Sequence, residues 1–233
     1  MTDFHSHILP RVDDGSKSLT ESLKMLELLA SQGVDRVIAT PHFYPNHHTV
    51  ESFLKKRNKA FDELKQAVTS SHPEILLGAE VKFYDGISRL KNIESLFIEG
   101  TEILLLEMPF SRWSEYTVKE LINLASSGIC TVVIAHIDRY IKFQSKSVIF
   151  ELLRSGILFQ VNADAFEKFF ERNKMLKLLE QGAIHFIGTD CHNLTDRAPN
   201  IEIAYNAISK KFGKRFLEKF SYSQDQIFIS NQL

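Results

Sequence analysis

Two histidines one residue apart, His5-Ser6-His7, stand near the start of the chain. In extended backbone, alternate residues point to the same side, so both imidazoles face one way. Further along, short apolar runs end in residues of similar chemistry. Val37-Ile38-Ala39-Thr40-Pro41 leads to His42, the run through Leu76 and Leu77 leads to Glu80, and Ile103 to Leu106 lead to Glu107. Val132 to Ala135 run directly into His136, and the last run delivers Asp190 with His192 two residues on. Taken singly, each has an ordinary reading: a loop histidine, a capping or solvated carboxylate, a hydrogen-bonded core imidazole. Recurrence at the same structural point, run after run, argues for a shared pocket. Imidazole and carboxylate without a committed thiolate suit manganese, iron or zinc rather than calcium or copper. Two or more such ions sharing a carboxylate can clamp a tetrahedral phosphoester and lower the pKa of a bound water. Arg139, three residues after His136, and Arg197, five after His192, would lie at the same place, where a guanidinium fork matches phosphate oxygens.

These side chains converge only if the segments carrying them lie side by side. Seven short segments rich in Ile, Val or Leu predict strands: Thr2–His5, Asp35–Thr40, Glu74–Val81, Ile103–Met108, Thr131–Ala135, Ile157–Asn162 and His185–Thr189. Helical patterns separate most of them. Ser18-Leu19-Thr20-Glu21 predicts a capping box, and Gly33 a helix end. Thr117 to Glu120 predicts a second box; helices are also expected over 50–68, 147–155, 166–181 and 199–212. Alternating β and α elements imply a parallel sheet, with an open doubly wound layout as the competitor. Seven strands in one domain over 1–233 point to a seven-stranded β/α barrel, whose strand ends meet at one face. That face would gather five histidines, two glutamates and an aspartate, and so many like groups need cations among them.

Composition bounds the function. The 233 residues are 44% hydrophobic and 24% charged with a net charge of −1, an ordinary globular balance with no polycationic face for nucleic acid. No basic leader or long apolar run suggests secretion or membrane insertion, and Cys130 and Cys191 are too few for a disulfide-stapled domain. A cytoplasmic protein is expected.

Seven segments together resemble the polymerase and histidinol phosphatase (PHP) superfamily, and most closely its bacterial protein-tyrosine phosphatases that accompany capsule and exopolysaccharide genes. They are Asp3-Phe4-His5-Ser6-His7-Ile8, Val12-Asp13-Asp14-Gly15, Thr40-Pro41-His42, Gly78-Ala79-Glu80, Leu106-Glu107, Ile134 to Tyr140, and Asp190 to Leu194. The resemblance implies an α/β fold, a distorted (β/α)₇ TIM-like barrel, with a site for two or three metal ions, manganese first and zinc or iron possible. It implies one ion on His5, His7, Glu80 and Asp190, a second on Glu80, Glu107 and His136, and a third on Asp14, His42 and His192. The choice of Asp14 over Asp13 rests on the resemblance. So does the assignment of Arg139 and Arg197 to phosphate, and of the substrate to a phosphotyrosine protein, the tail of a bacterial tyrosine kinase. Asp138 is expected to orient Arg139 rather than to protonate the leaving group. His47 and His48 are expected to be loop residues, and 220–233 to pack on the first helix or a neighbouring subunit. A superfamily phosphoesterase acting on a small molecule such as histidinol phosphate, or a scaffold with a decayed site, would share much of this pattern; a complete donor set argues against decay.

One motif points elsewhere. Cys191 and Arg197 enclose five residues, the spacing of cysteine-dependent tyrosine phosphatases. That chemistry needs a thiolate inside a loop of free backbone N–H groups. The intervening His192-Asn193-Leu194-Thr195-Asp196 has no glycine and carries a carboxylate, so a spectator cysteine is expected.

Overall fold

In a computed structural model describing residues 1–232, the apolar segments form nine short parallel strands arranged as seven staves. They are β1 (Thr2–Ser6), β2 (Arg36–Ala39), β3 (His42–Phe43), β4 (Glu74–Leu77), β5 (Glu80–Lys82), β6 (Ile103–Glu107), β7 (Thr131–Ile134), β8 (Leu158–Asn162) and β9 (Phe186–Gly188). Two predicted strands are each broken in two. The segment 35–40 ends at Ala39 and pairing resumes at His42; the segment 74–81 breaks at Gly78-Ala79. Pro41 has no N–H for a ladder, and Gly78 lies where a Cβ would crowd Thr40 and Ile98 at 3.3 Å. The sheet therefore divides into β1-β2-β4 and β3-β5-β6-β7-β8-β9. The carbonyl of Gly78, freed by the break, accepts a hydrogen bond at 2.9 Å from the buried Arg57. The bend turns His42 and Glu80 toward the barrel mouth.

The seam between β9 and β1 closes through backbone bonds from Asp190 N to His5 O (2.7 Å) and from His7 N to Cys191 O (2.9 Å). Behind it the buried Asp3 carboxylate accepts from the Thr189 N–H (2.8 Å) and hydroxyl (2.6 Å). Gly188 permits this approach, because a Cβ there would meet the His5 Cβ at 2.6 Å.

Helices α1 (Leu19–Ser31), α2 (Val50–Ala67), α3 (Glu115–Ser126), α4 (Ile137–Tyr140), α5 (Lys146–Arg154), α6 (Phe169–Glu180), α7 (Ile201–Phe212) and α8 (Lys214–Ser230) surround the staves. Ser18 caps α1 by accepting from Glu21 N, while the Glu21 carboxylate reaches back to Lys17 N, one residue beyond the predicted box. The second predicted box is displaced. Ser114 caps α3 by accepting from Thr117 N, and Glu120 instead accepts from the Ser88 hydroxyl. The predicted helix over 166–181 divides into a 3-10 turn at Ala163–Phe166 and α6. After β5 two 3-10 turns replace a helix.

The C-terminal segment does not pack on α1 as expected. It crosses the strand starts and closes the barrel floor, where Phe228 meets Phe4 edge-on at 6.0 Å and Phe4 stacks on Phe186 at 3.8 Å. Asn231 O accepts from Glu102 N just ahead of β6. The floor cluster also holds Ile38, Ile103, Leu105, Val133 and Ala135, all fully buried. Leu233 lies outside the described residues.

Candidate metal centre

The strand ends bring nearly all the predicted residues to one place. Their donor atoms fall into three adjoining groups, each within 4.8 Å: His5, His7, Glu80 and Asp190; His42, Glu80 and Glu107; and His7, Asp14, His42 and His192. The first coincides with the first expected set. In the second, His42 joins the expected Glu80 and Glu107, and the expected His136 lies beside them with its Nε2 2.7 Å from Glu80 Oε1. In the third, His7 joins the expected trio. Glu80 is central: its Oε2 lies 3.3 Å from His5 Nε2, 3.3 Å from His7 Nε2 and 2.9 Å from His42 Nδ1. Asp14 lies at the outer rim, its Oδ1 3.5 Å from His42 Nε2 and 3.4 Å from His192 Nε2. His47 and His48 remain exposed loop residues.

Asp13 and Asp14, indistinguishable by residue type, do different things. Asp13 Oδ2 accepts from His7 Nδ1 at 2.6 Å and from His42 N at 2.9 Å. This fixes the His7 tautomer with its Nε2 lone pair toward the pocket, as histidine ligands require. Burial opposes the Asp13 charge, but His7 and His42 outweigh it and hold the carboxyl well below its usual range. Gly15 makes the turn possible, since a Cβ there would strike His7 O at 2.3 Å.

Gln160, inside β8 and not at a strand end, also belongs to the site. Its Oε1 accepts from His136 N (2.6 Å) and lies 3.2 Å from His5 Nδ1, and its amide donates to Asn162 Oδ1 (3.0 Å). Asn162 donates to Asp190 Oδ2 at 3.0 Å. A period-2 polar pair inside an apolar run, Gln160 and Asn162 in Phe159-Gln160-Val161-Asn162, was the available signal.

The electrostatics are those of interlocked opposite charges. Burial would raise Glu80 and Asp190, yet the facing imidazoles hold both well below the usual carboxylate range. Burial would lower His5 and His7, but the carboxylates raise both. His192 differs: burial and the neighbouring His7 push it down to about 4. Its Nδ1 lies 2.9 Å from the Asp190 carbonyl, leaving Nε2 to face Asp14. His136 and Asp190 take left-handed backbone at φ 30° and 54°. Such conformations persist where surrounding structure enforces them, commonly at working sites.

The donor set fits divalent cations. Five buried polar atoms in the cluster have no hydrogen-bond partner: His42 Nδ1, Glu80 Oε2, Glu107 Oε2, His136 Nδ1 and His192 Nε2. Buried polar atoms are normally paired. His42 Nδ1 approaches Glu80 Oε2 to 2.9 Å, and His192 Nε2 approaches Asp14 Oδ1 to 3.4 Å, without hydrogen-bond alignment, an arrangement suited to a cation between the donors.

Both arginines converge on Asp190. Arg139 Nη2 lies 2.7 Å from its Oδ2 and Arg197 Nη2 lies 2.9 Å from its Oδ1, with each side chain about a third exposed. Asp138 acts on Arg139 through its charge and makes no hydrogen bond to it. It accepts from Asn162 N at 3.0 Å, and burial raises it to about 6. The Cys191 thiol is fully buried and pushed well above its usual value, by burial first and Asp3 second. Amide groups of the following loop are spent internally: Thr195 N and Arg197 N donate to Asn193 Oδ1, and His192 N donates to Arg197 O. Neither a thiolate nor an open phosphate cradle exists there.

The family model for capsular polysaccharide synthesis proteins, CpsB/CapC, matches residues 1–230. The tyrosine-protein phosphatase CpsB of Streptococcus agalactiae serotype III is 31% identical over 242 residues, covering 99% of this chain and 96% of that protein. CpsB of Streptococcus pneumoniae is 30% identical with 100% of both covered, and YwqE of Bacillus subtilis, also a tyrosine-protein phosphatase, 29% identical over 220 residues, covering 91% and 85%. Among solved structures, one reported for YwqE and CpsB, described as metal-dependent tyrosine phosphatases, superposes with a TM-score of 0.84 at 24% identity, covering 100% and 96%. Histidinol phosphate phosphatase of Lactococcus lactis, solved with zinc, L-histidinol and phosphate, shares the fold at a TM-score of 0.54 and 15% identity, covering 90% and 92%. With a barrel, a polar mouth and a family match running almost end to end, this chain belongs to the CpsB/CapC family.

Proposed function

We propose that this chain is a metal-dependent protein-tyrosine phosphatase of the cytoplasm, acting on the phosphotyrosine-bearing tail of a bacterial tyrosine kinase that controls capsule or exopolysaccharide assembly. The observation that carries the reading is the junction of three donor groups through Glu80, His7 and His42, with two arginine forks beside it. His5, His7, Glu80 and Asp190 would hold one ion. Glu80 and Glu107, with His42 and His136 beside them, would hold a second, and Asp14, His42 and His192, next to His7, a third. Manganese is the preferred metal, consistent with mixed nitrogen and oxygen donors. Bound divalent ions supply Lewis acidity toward phosphoryl oxygens and a lowered pKa for water.

The chain's own residues do the rest. Arg139 and Arg197 turn their remaining N–H groups to the phosphoryl oxygens, steadying charge in the transition state. Asp13 and Gln160 hold His7 and His5 in orientation. The tyrosinate leaving group, with a pKa of ~10, needs little protonation as it departs. No helix among the described residues is long and apolar enough to cross a membrane.

The test is hydrolysis of phosphotyrosine peptides before chelation, after it, and after manganese is restored. Loss and recovery are expected, with Cys191→Ser as active as the parent. Full activity in the chelated protein sinks the metal reading, and an inactive Cys191→Ser that still binds metal restores the thiol alternative.

A further inference from the structure

The loop between β6 and α3 buries one aromatic side chain and holds another out in solvent. Trp113 is 5% exposed and Tyr140 beneath it 0%, whereas Phe110 is 51% exposed. The loop is not slack. Its Met108 N donates to the Tyr140 hydroxyl (3.1 Å), Trp113 Nε1 to Pro109 O (3.1 Å), and Gln144 bridges Trp113 N and Ser111 O. A ring serving only to cover Tyr140 would sit lower, and a pinned loop has no need to keep an apolar ring wet.

The position of that ring is informative. It lies nearly parallel to His136, with centroids 6.1 Å apart and planes 17° from one another, and 5.1 Å from Tyr140. The Lys82 ammonium is 5.7 Å from its centroid and 3.0 Å from Glu107 Oε1. A second half-buried aromatic, Tyr44, stacks on His42 at 4.9 Å and 23°. Sheet order puts β3 and β7 on either side of β5 and β6, so two aromatics backed by pocket histidines flank Glu80 and Glu107.

We infer that Phe110, with Tyr44 opposite, forms a slot for the aryl ring of a phosphate monoester and selects phenolic over alkyl leaving groups. The inference deepens the proposed function and rests on its placement of the phosphoryl group at the donor cluster. In an aryl phosphate the ring is one oxygen away from phosphorus, so a ring at the pocket edge meets it directly. Offset or edge-on aromatic contact rewards a substrate ring and gives little to an alkyl chain. Phe110 is thus a specificity residue, not part of the donor set.

The experiment measures binding of phenylphosphonate and propylphosphonate to the metal-loaded full chain by calorimetry, alongside turnover of phosphotyrosine and phosphoserine peptides. Phe110→Ala is expected to weaken phenylphosphonate about tenfold while leaving propylphosphonate and the melting temperature unchanged. Phe110→Trp retains the aryl preference and Phe110→Leu does not. Equal weakening of both phosphonates, an unchanged phenylphosphonate affinity, or a Leu variant as selective as the parent overturns the slot. A parent protein that prefers phenylphosphonate yet hydrolyses no phosphotyrosine leaves the slot standing and removes the proposed function instead.

Discussion

Strand β1 sends Phe4 to the floor of the barrel and His5 and His7 to its mouth, and burial acts on the two ends in opposite ways. On the floor, Phe4, Phe186 and Phe228 pack ring on ring among aliphatic side chains. His185, just before Phe186, has no carboxylate partner, accepts from Phe159 N at 3.1 Å, and is driven down to about 4 by burial. At the mouth, His5 and His7 are fully buried, yet facing carboxylates raise them. One residue type, half-buried at the floor and fully buried at the mouth, is pushed toward the neutral form at one end and toward the protonated form at the other. The floor is built for cohesion. The mouth gathers buried carboxylates that need positive charge beside them, from protonated imidazoles or from bound cations.

The sharpest way to break this contrast is Glu80→Gln, which removes the carboxylate common to two donor groups. Phosphotyrosine-peptide kcat/KM is expected to fall by about 10³-fold or more, with metal per chain reduced in elemental analysis. Undiminished metal content would show that the mouth does not depend on Glu80. The matching change at the other end is Phe4→Ala. It should cost about 4 kcal/mol in denaturant unfolding, while kcat/KM at a temperature where the variant stays folded remains that of the parent. A variant as stable as the parent would deny the floor its role.

His185 sharpens the electrostatic half. Its folded pKa of about 4 lies below the ordinary 6.5, so the unfolded chain binds the proton more readily. Stability is unaffected above 6.5 and declines as pH falls from 6.5 toward 4. The decline due to this group is about 2 kcal/mol, and it should be missing from His185→Gln when unfolding is compared at pH 7 and 4.5. Identical pH profiles for the two proteins would refute it. The smallest effect expected is from Asp13→Asn, which keeps the shape but weakens the hold on His7. Manganese affinity should drop about tenfold, read by metal titration, with the fold intact. An unchanged affinity would make Asp13 a loop brace only.

Much of the mouth was legible because its signal is local. A histidine or carboxylate at the end of an apolar run is visible in sequence, and parallel strands in a barrel carry such ends to one face. The seven-stave barrel followed from the same alternation. Gln160 lies inside β8 rather than at its end, so strand-end spacing does not mark it, although its two-residue spacing from Asn162 marks one inward side of β8. The displaced cap at Ser114 shows the limit of local matching. Only Thr117 has a glutamate three residues on, yet Ser114 makes the cap, and Glu120 is drawn off by Ser88, thirty-two residues earlier.

The amino-acid order alone determined which donor types meet, which strands deliver them, and that two arginines follow them. Tertiary structure decided who faces whom. The bends at Pro41 and Gly78 bring His42 to Glu80 and Glu107, beside His136. The turn at Gly15 sends Asp13 behind His7 and Asp14 outward, and the last helix becomes the floor. The physical reason is that side-chain type and alternation are properties of neighbouring residues. The rotation of a strand end is set by ladder bonds and contacts with segments far away in the chain.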